Sequence, residues 1–366
     1  MNHGVPYLDL KPEFQALRER WFAALEEIGA RAGFILGDNV KGFQLEAADY
    51  VGSRYAVGVA NGTDALVLSL RALGIGPGDE VITSPFTFFA TAEAVSLVGA
   101  TPVFADIRED SFNIDPASVA AKVSPATRAI LPVHIFGHPA GLSALQEIAD
   151  AHGLSIIEDA AQAWGAQHRE QVVGSLGATG CFSFYPAKVL GCYGDGGLIT
   201  TSDPDLHEHI LRLRNHGATA PFTHMEPGYN SRLDEVHAAL LRIKLEQIEA
   251  AIAARTQVAD WYDELLEGSD AIVPARPDDG RHAFNLYTIR HPRRDALRQE
   301  LTDAAIGTNQ CYPLGLHLQA VYAHLGYRPG DLPVVDRLCG ETLSLPIFPG
   351  MTRDQAERVS EVVRNA

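Results

Sequence analysis

The chain has 366 residues, 46% hydrophobic and 20% charged, an ordinary globular balance that excludes a disordered polymer. Twenty-nine basic against 46 acidic residues leave a net charge of −17, which argues against nucleic acid or an anionic membrane as partner, since both need a basic surface. The length exceeds one typical core and predicts a large domain over residues 1–245 and a smaller one over 246–366.

The start, residues 1–10, has neither the basic nor the apolar region of a signal peptide. No apolar run approaches the roughly 20 residues needed to span a bilayer. A soluble, cytoplasmic protein is expected. Cys181, Cys192, Cys311 and Cys339 form no Cys-x-x-Cys pair and no zinc-like pattern with histidine, so reduced thiols and no metal are expected.

Phe14, Leu17, Trp21, Leu25 and Ile28 recur at intervals of three and four, which predicts an amphipathic helix over 12–30. Gly33 and Gly37-Asp38-Asn39 are read as its break. From Tyr55, β-rich runs at 56–60, 80–84, 102–106, 129–133 and 155–158 alternate with helical segments at 64–73, 90–98, 116–123 and 142–152. Strands at 179–184 and 197–201 follow. This order predicts an α/β domain with a mostly parallel seven-stranded sheet, helices on both faces, and ligands at the carboxyl ends of the strands. Ser231-x-x-Asp234 has capping-box spacing and opens a long helical stretch out of that domain. After Gly268 the proline-rich texture predicts a smaller α+β domain.

The most informative residue is Lys188, held between the apolar strand at 179–184 and the glycines Gly191, Gly194, Gly196 and Gly197. Apolar neighbours would lower its pKa and supply the free amine that imine formation needs. Asp159 follows the apolar run Leu154-Ser-Ile-Ile, emerging where the strand over 155–158 ends. A carboxylate there can face a pyridine nitrogen and keep it protonated, or it can simply cap the next helix. Gln162 could reach a ring hydroxyl; Glu158, on the opposite strand face, is read as structural.

Asn61-Gly62-Thr63-Asp64 follows a strand and opens a helix, where free N–H groups favour an anion; a plain cap by Thr63 or Asp64 is the alternative. Phe88 could stack on a flat ring or pack in the core. Ser183 offers a hydroxyl to a phosphate. No Gly-x-Gly-x-x-Gly opens a helix, which argues against a nicotinamide dehydrogenase.

At these residues the chain resembles the DegT/DnrJ/EryC1/StrS family of sugar aminotransferases, in the fold-type-I class of pyridoxal-phosphate (PLP) enzymes. The likeness spans nearly the whole chain, including Val5-Pro-Tyr-Leu-Asp-Leu, Asn61-Gly-Thr-Asp-Ala-Leu, Gly74-Ile-Gly-Pro-Gly-Asp-Glu-Val, Glu158-Asp-Ala-Ala-Gln, residues 182–197, Gly228-Tyr-Asn-Ser-Arg-Leu-Asp and Leu343-Ser-Leu-Pro. It implies that Lys188 is the Schiff-base lysine and proton shuttle and that Asp159 pairs with the ring nitrogen. Gln162 would pair with the ring oxygen and Phe88 would stack on the ring. Gly62, Thr63, Asp64 and Ser183 would hold the phosphate. Asn230 would reach the phosphate bound by a neighbouring subunit, so a homodimer with a shared site is implied. His317 and Tyr185 would lie near the sugar, and Arg232 would receive a donor carboxylate or sit at the interface.

The chain departs from the family with Val189 where asparagine is usual and Trp164 where histidine is common, departures that bear on the substrate more than on the reaction. The resemblance implies amino transfer from an amino acid, glutamate, to a dTDP-linked 3- or 4-keto-6-deoxysugar, in deoxyaminosugar and antibiotic biosynthesis. A keto-cyclitol or aminobenzoate precursor, or a non-catalytic regulatory role, are the alternatives.

Overall fold

Seven strands join into one sheet in the computed structural model, which describes residues 4–366; residues 1–3 of the start read above lie outside the described residues. They are β1 (Tyr55–Val59), β2 (Glu80–Thr83), β3 (Thr101–Phe104), β4 (Thr127–Leu131), β5 (Ser155–Asp159), β6 (Thr179–Ser183) and β7 (Gly197–Thr201). Their spatial order is β1-β7-β6-β5-β4-β2-β3. From β6 through β5, β4 and β2 to β3 every pairing is parallel; β7 alone runs antiparallel, between β6 and β1. The strands are nearly continuous apolar runs because helices cover both faces. Val57, Leu68 and Ile157 pack on one side and Ile82, Ile130 and Leu145 on the other.

The first helix spans Lys11–Arg31 and ends at Ala32 in a left-handed conformation, where its N–H bonds back to Gly29. The expected break at Asp38 is instead the start of a second helix, Asp38–Val51. Its cap is not local. Glu235, 195 residues away from Val40, accepts from the Asn39 and Val40 N–H groups at 3.0 and 2.8 Å. The Ser231 capping box is also corrected: the helix Glu235–Leu245 has Asp234 at its N-cap with no side-chain bond. The Ser231 hydroxyl accepts from the Ala60 N–H at 3.1 Å instead. Capping-box geometry does occur at Thr352 and Gln355, at the start of Arg353–Asn365.

The C-terminal part folds around an antiparallel pair, Tyr287–Arg290 with Thr342–Leu345, flanked by the helices Arg294–Asp303 and Arg353–Asn365. The expected boundary at 245/246 meets a helix that serves both cores. In Ile248–Leu265, Ile248 and Ile252 pack with the large domain while Val258, Ala259 and Tyr262 pack with the small one. Val5 joins the small core too, bonded through its backbone to Ala305 and Gly307. Val5, grouped by sequence with the large domain, packs in the small core, and Ile248 and Ile252, grouped with the small domain, pack in the large one. Among the described residues, no helix is long and apolar enough to cross a membrane.

Candidate active site

Strand order brings the predicted residues to one edge of the sheet. Asp159 is the last residue of β5 and pairs with Cys181 on β6; Ser183 ends β6 and lies opposite Gly197, which pairs with Val59 at the end of β1. Asn61-Gly62 follows that strand end directly. A Cβ on Gly62 would stand 2.7 Å from the Ser183 Cβ, so only glycine lets this turn approach so closely.

The helix Gly62–Ala72 is capped by Asn61, whose extended backbone turns its Oδ1 to accept from the Asp64 N–H at 2.8 Å. This corrects the expected cap at Thr63 or Asp64, which lie inside the first turn. It also commits the Asp64 N–H, so Asp64 has no backbone donor left for an anion. The N–H groups of Gly62 and Thr63 bond to no described residue. Two free N–H groups at a helix N-terminus, beside the Ser183 hydroxyl, make an anion cradle suited to a phosphate.

Lys188 lies in the loop between β6 and β7, closed by backbone bonds from Phe184 to Gly196, Cys192 to Phe184 and Lys188 to Tyr185. Gly191 lets the loop fold tightly, since a Cβ there would meet the Tyr185 and Pro186 carbonyls at 2.7 Å. Val189, Leu190 and Cys192 anchor the loop in the core. Lys188 itself is half-buried. Desolvation pushes its ammonium below the usual lysine range, against the opposing pull of Asp159 and then Cys311. Such an amine is free to act as a nucleophile at lower pH than an exposed lysine.

No helix follows Asp159, so the plain N-cap alternative is not what is seen. Its carboxylate is buried, accepting from Thr91 Oγ1 at 2.8 Å and from the Ala161 N–H at 3.2 Å. Burial raises its pKa, and the Thr91 and Ala161 bonds and the Lys188 charge oppose this. Burial thus outweighs the mutual attraction of Asp159 and Lys188, a state that a protonated ring nitrogen beside the carboxylate would relieve.

Gln162 is buried with both ends engaged. Its Oε1 accepts from the Phe136 N–H at 2.8 Å, and its Nε2 donates to the Tyr312 hydroxyl at 2.9 Å. Phe136 holds a left-handed backbone, φ 58°, at this contact. Glu158, on the far strand face, is structural as read. His134 Nε2 lies 3.0 Å from it, and the N–H groups of Gly174, Leu176 and Gly177 donate to it at 2.7–2.8 Å. Burial would raise its pKa, but these donors win and hold it below the usual range. The Ala140 N–H donates to His134 Nδ1, so the ring carries its proton on Nε2 and donates it to Glu158.

Phe88, 62% exposed, stands at the mouth just before the helix Ala90–Leu97 that carries Thr91, and Tyr185 is 56% exposed. Asn230 is exposed and Arg232 half-buried, its Nη1 donating to Asn215. His317 follows Leu316, whose N–H donates to the Pro85 carbonyl ahead of Phe88. The His317 side chain is fully buried, packed edge-on to Phe104 and Tyr327 and 3.1 Å from the Asp336 carboxylate. Trp164 and Val189 are also core residues, Trp164 stacking on Tyr50, so neither departure presents a side chain to a substrate.

Sequence reasoning missed Thr91, Tyr312 and Cys311. Thr91 had one signal, its place three residues after Phe88; Cys311 and Tyr312 had only their place in the Cys311-Tyr-Pro run ahead of His317, and they arrive from the small domain's side. A cavity of about 630 Å³ lies elsewhere, between the loop after β3 and residues 272–290. Its Arg108 is paired with Asp110 and its Arg290 with Glu109, both at 2.7 Å.

Against known proteins, the sequence profile of the DegT/DnrJ/EryC1/StrS aminotransferase family matches residues 15–364. The chain belongs to this family. It is a PLP-dependent aminotransferase, and the anion cradle, buried carboxylate and desolvated lysine fit that cofactor. The dTDP-3-amino-3,4,6-trideoxy-alpha-D-glucose transaminase of Streptomyces venezuelae is 45% identical over 98% of this chain and 95% of that protein. The pleiotropic regulatory protein of Geobacillus stearothermophilus is 45% identical over 98% of each chain. The X-ray structure of S. venezuelae DesV in complex with a ketimine intermediate superposes with a TM-score of 0.97, at 44% identity, covering 99% of this chain and 98% of that one.

Proposed function

We propose that this aminotransferase moves an amino group from an amino acid, glutamate, to a nucleotide-linked keto sugar, a dTDP-linked 3- or 4-keto-6-deoxyhexose. The observation that carries the reading is the convergence at one sheet edge of Lys188, Asp159, Ser183 and the free N–H groups of Gly62 and Thr63. The likeness to a dTDP-sugar transaminase supports the substrate class.

Bound PLP supplies an electron sink for the carbanion at the substrate carbon. Lys188 would offer its free amine to the cofactor aldehyde, and once released would hold and return a proton at Nζ. Asp159 keeps the ring nitrogen protonated through its carboxylate. Gly62, Thr63 and Ser183 hold the phosphate, Gln162 the ring oxygen, and Phe88 the ring face. Tyr185, exposed above the loop, flanks the sugar. Arg232 stands in reserve for the donor carboxylate, half-buried and, among the described residues, bonded to the neutral Asn215 amide.

The functional unit is a homodimer. Asn230 is exposed, its backbone bridged to Asn215 beside the Ala218–Ala220/Thr223–His224 ribbon, and Phe222 and Met225 at that ribbon are 99% and 70% exposed. Such bulky apolar side chains favour cover by a second copy.

Incubating the protein with PLP, glutamate and a panel of dTDP- and UDP-linked keto sugars, a keto-cyclitol and an aminobenzoate precursor tests this. Amination of a dTDP-keto sugar, with its position read by NMR and loss of turnover in Lys188→Ala, is expected. Full activity in Lys188→Ala would sink the assignment. The regulatory name of one relative favours a second, non-catalytic role; the intact lysine and aspartate weigh against it, and a wild-type protein that aminates nothing in the panel would revive it.

A further inference from the structure

The Asp159 carboxylate is served by a short chain of hydroxyls that the roles above leave unused. Thr91 Oγ1 donates to Asp159 Oδ2 at 2.8 Å, and Thr87 Oγ1 lies 3.1 Å from Thr91 Oγ1. Both threonines are almost wholly buried, at 2% and 1% exposure, and neither hydroxyl has another partner among the described residues. Thr91 lies in the first turn of Ala90–Leu97 and Thr87 in the bend just before that helix, so the chain entering the helix brings the two hydroxyls together.

The polarity of this chain follows from donor counting. A hydroxyl has one proton and an ionised carboxylate only accepts. If Thr91 gives its proton to Asp159, the contact behind it requires Thr87 to donate to Thr91. If Asp159 carried a proton on Oδ2, both bonds would have to reverse. Thr87→Thr91→Asp159 therefore exists only with Oδ2 unprotonated, and each bond polarises the next. The other oxygen has only the longer bond from Ala161.

We propose that Thr91, backed by Thr87, is a positioning residue that holds Asp159 ionised and turned to meet the ring nitrogen of PLP. This rests on Asp159 being the partner of that nitrogen. Without the Thr91 hydroxyl, a buried carboxylate with one weak donor takes up a proton more readily and can then no longer keep the ring nitrogen charged. The other titratable groups acting on Asp159 are Lys188 from the loop after β6 and His134 from the segment after β4; Cys181 on β6 and Tyr312 are also within its field.

The test uses the full-length apo protein and PLP. Thr91→Val keeps the shape and removes only the hydroxyl. Its PLP dissociation constant, from intrinsic fluorescence, should rise about tenfold or more, as for losing a bond to a charged group. The pH midpoint below which PLP affinity is lost should move upward, since Asp159 then ionises less readily. Thr91→Ser should restore both. Thr87→Val should shift both in the same direction by less, and it carries the test if Thr91→Val does not fold. Unchanged affinity and midpoint in a folded Thr91→Val, or a Thr91→Ser as impaired as Thr91→Val, would overturn the proposal. A wild-type protein that takes up no PLP would instead overturn the reading of Asp159.

Discussion

Gly62 and Ser183 lie against each other across two strand ends, so close that a methyl group on Gly62 would reach to 2.7 Å from the Ser183 Cβ. This approach sets the two free N–H groups of the Gly62–Ala72 helix beside a hydroxyl and shapes the anion cradle. Gly62→Ala should push these strand ends apart. Overpacking of this kind costs about 1–3 kcal/mol, and the loss should appear chiefly in PLP affinity, measured by equilibrium titration of the apo protein, with little change in far-UV circular dichroism.

Lys188 titrates below an ordinary lysine because burial disfavours its ammonium. Its folded pKa lies under its unfolded value, so the native state binds fewer protons than the unfolded chain and this group makes stability fall as pH drops below about 10.4. Lys188→Met in the apo protein should therefore gain stability over wild type as pH is lowered from 10 towards neutrality, read by urea denaturation at several pH values. In Asp159→Asn the midpoint for labelling Lys188 with an amine reagent should fall further, since the Asp159 charge raises it.

Glu158 behaves in the opposite sense. Burial would raise its folded pKa, but His134 and the Gly174 and Gly177 N–H groups depress it. The stability it contributes is present above its unfolded pKa near 4.3 and is lost as pH falls through the lower folded value. Glu158→Gln should cost about 2–3 kcal/mol at neutral pH and should flatten the acid limb of the stability profile. Thermal unfolding from pH 7 downward would check both.

Glu235→Ala removes the carboxylate that caps Asp38–Val51. A lost cap costs about 1–2 kcal/mol. Hydrogen exchange should quicken first at residues 39–42 and leave the central strands β4 and β5 protected. Uniform loss of protection would mean that Glu235 supports the whole domain rather than one helix end.

Much of the sheet was legible because alternating apolar runs and helical segments are local patterns. Lys188 and Asp159 stood out for the same reason: one ends an apolar strand and the other lies in the glycine-rich loop that follows one. The failures are equally specific. Asp38 looked like a breaker because its helix has no cap of its own, and Ser231 looked like a cap because its spacing to Asp234 is right. Its hydroxyl is instead held by Ala60, 171 residues away. His317 is a separate case, matched to a motif by position: its ring is enclosed by Tyr327 and Asp336 from the segment that follows it and by Phe104, 213 residues away.

Composition, periodicity and turn chemistry by themselves determined the α/β class, the order of strands and helices, and the lysine and carboxylate at its centre. These depend on residues within a few positions of one another. The tertiary structure alone decided which hydroxyl serves Asp159, 68 residues from Thr91, and which carboxylate caps the second helix. It alone left Gly62 and Thr63 as the free donors. A buried polar group must find a partner wherever the fold places one, and the sequence interval between them carries no trace of that choice.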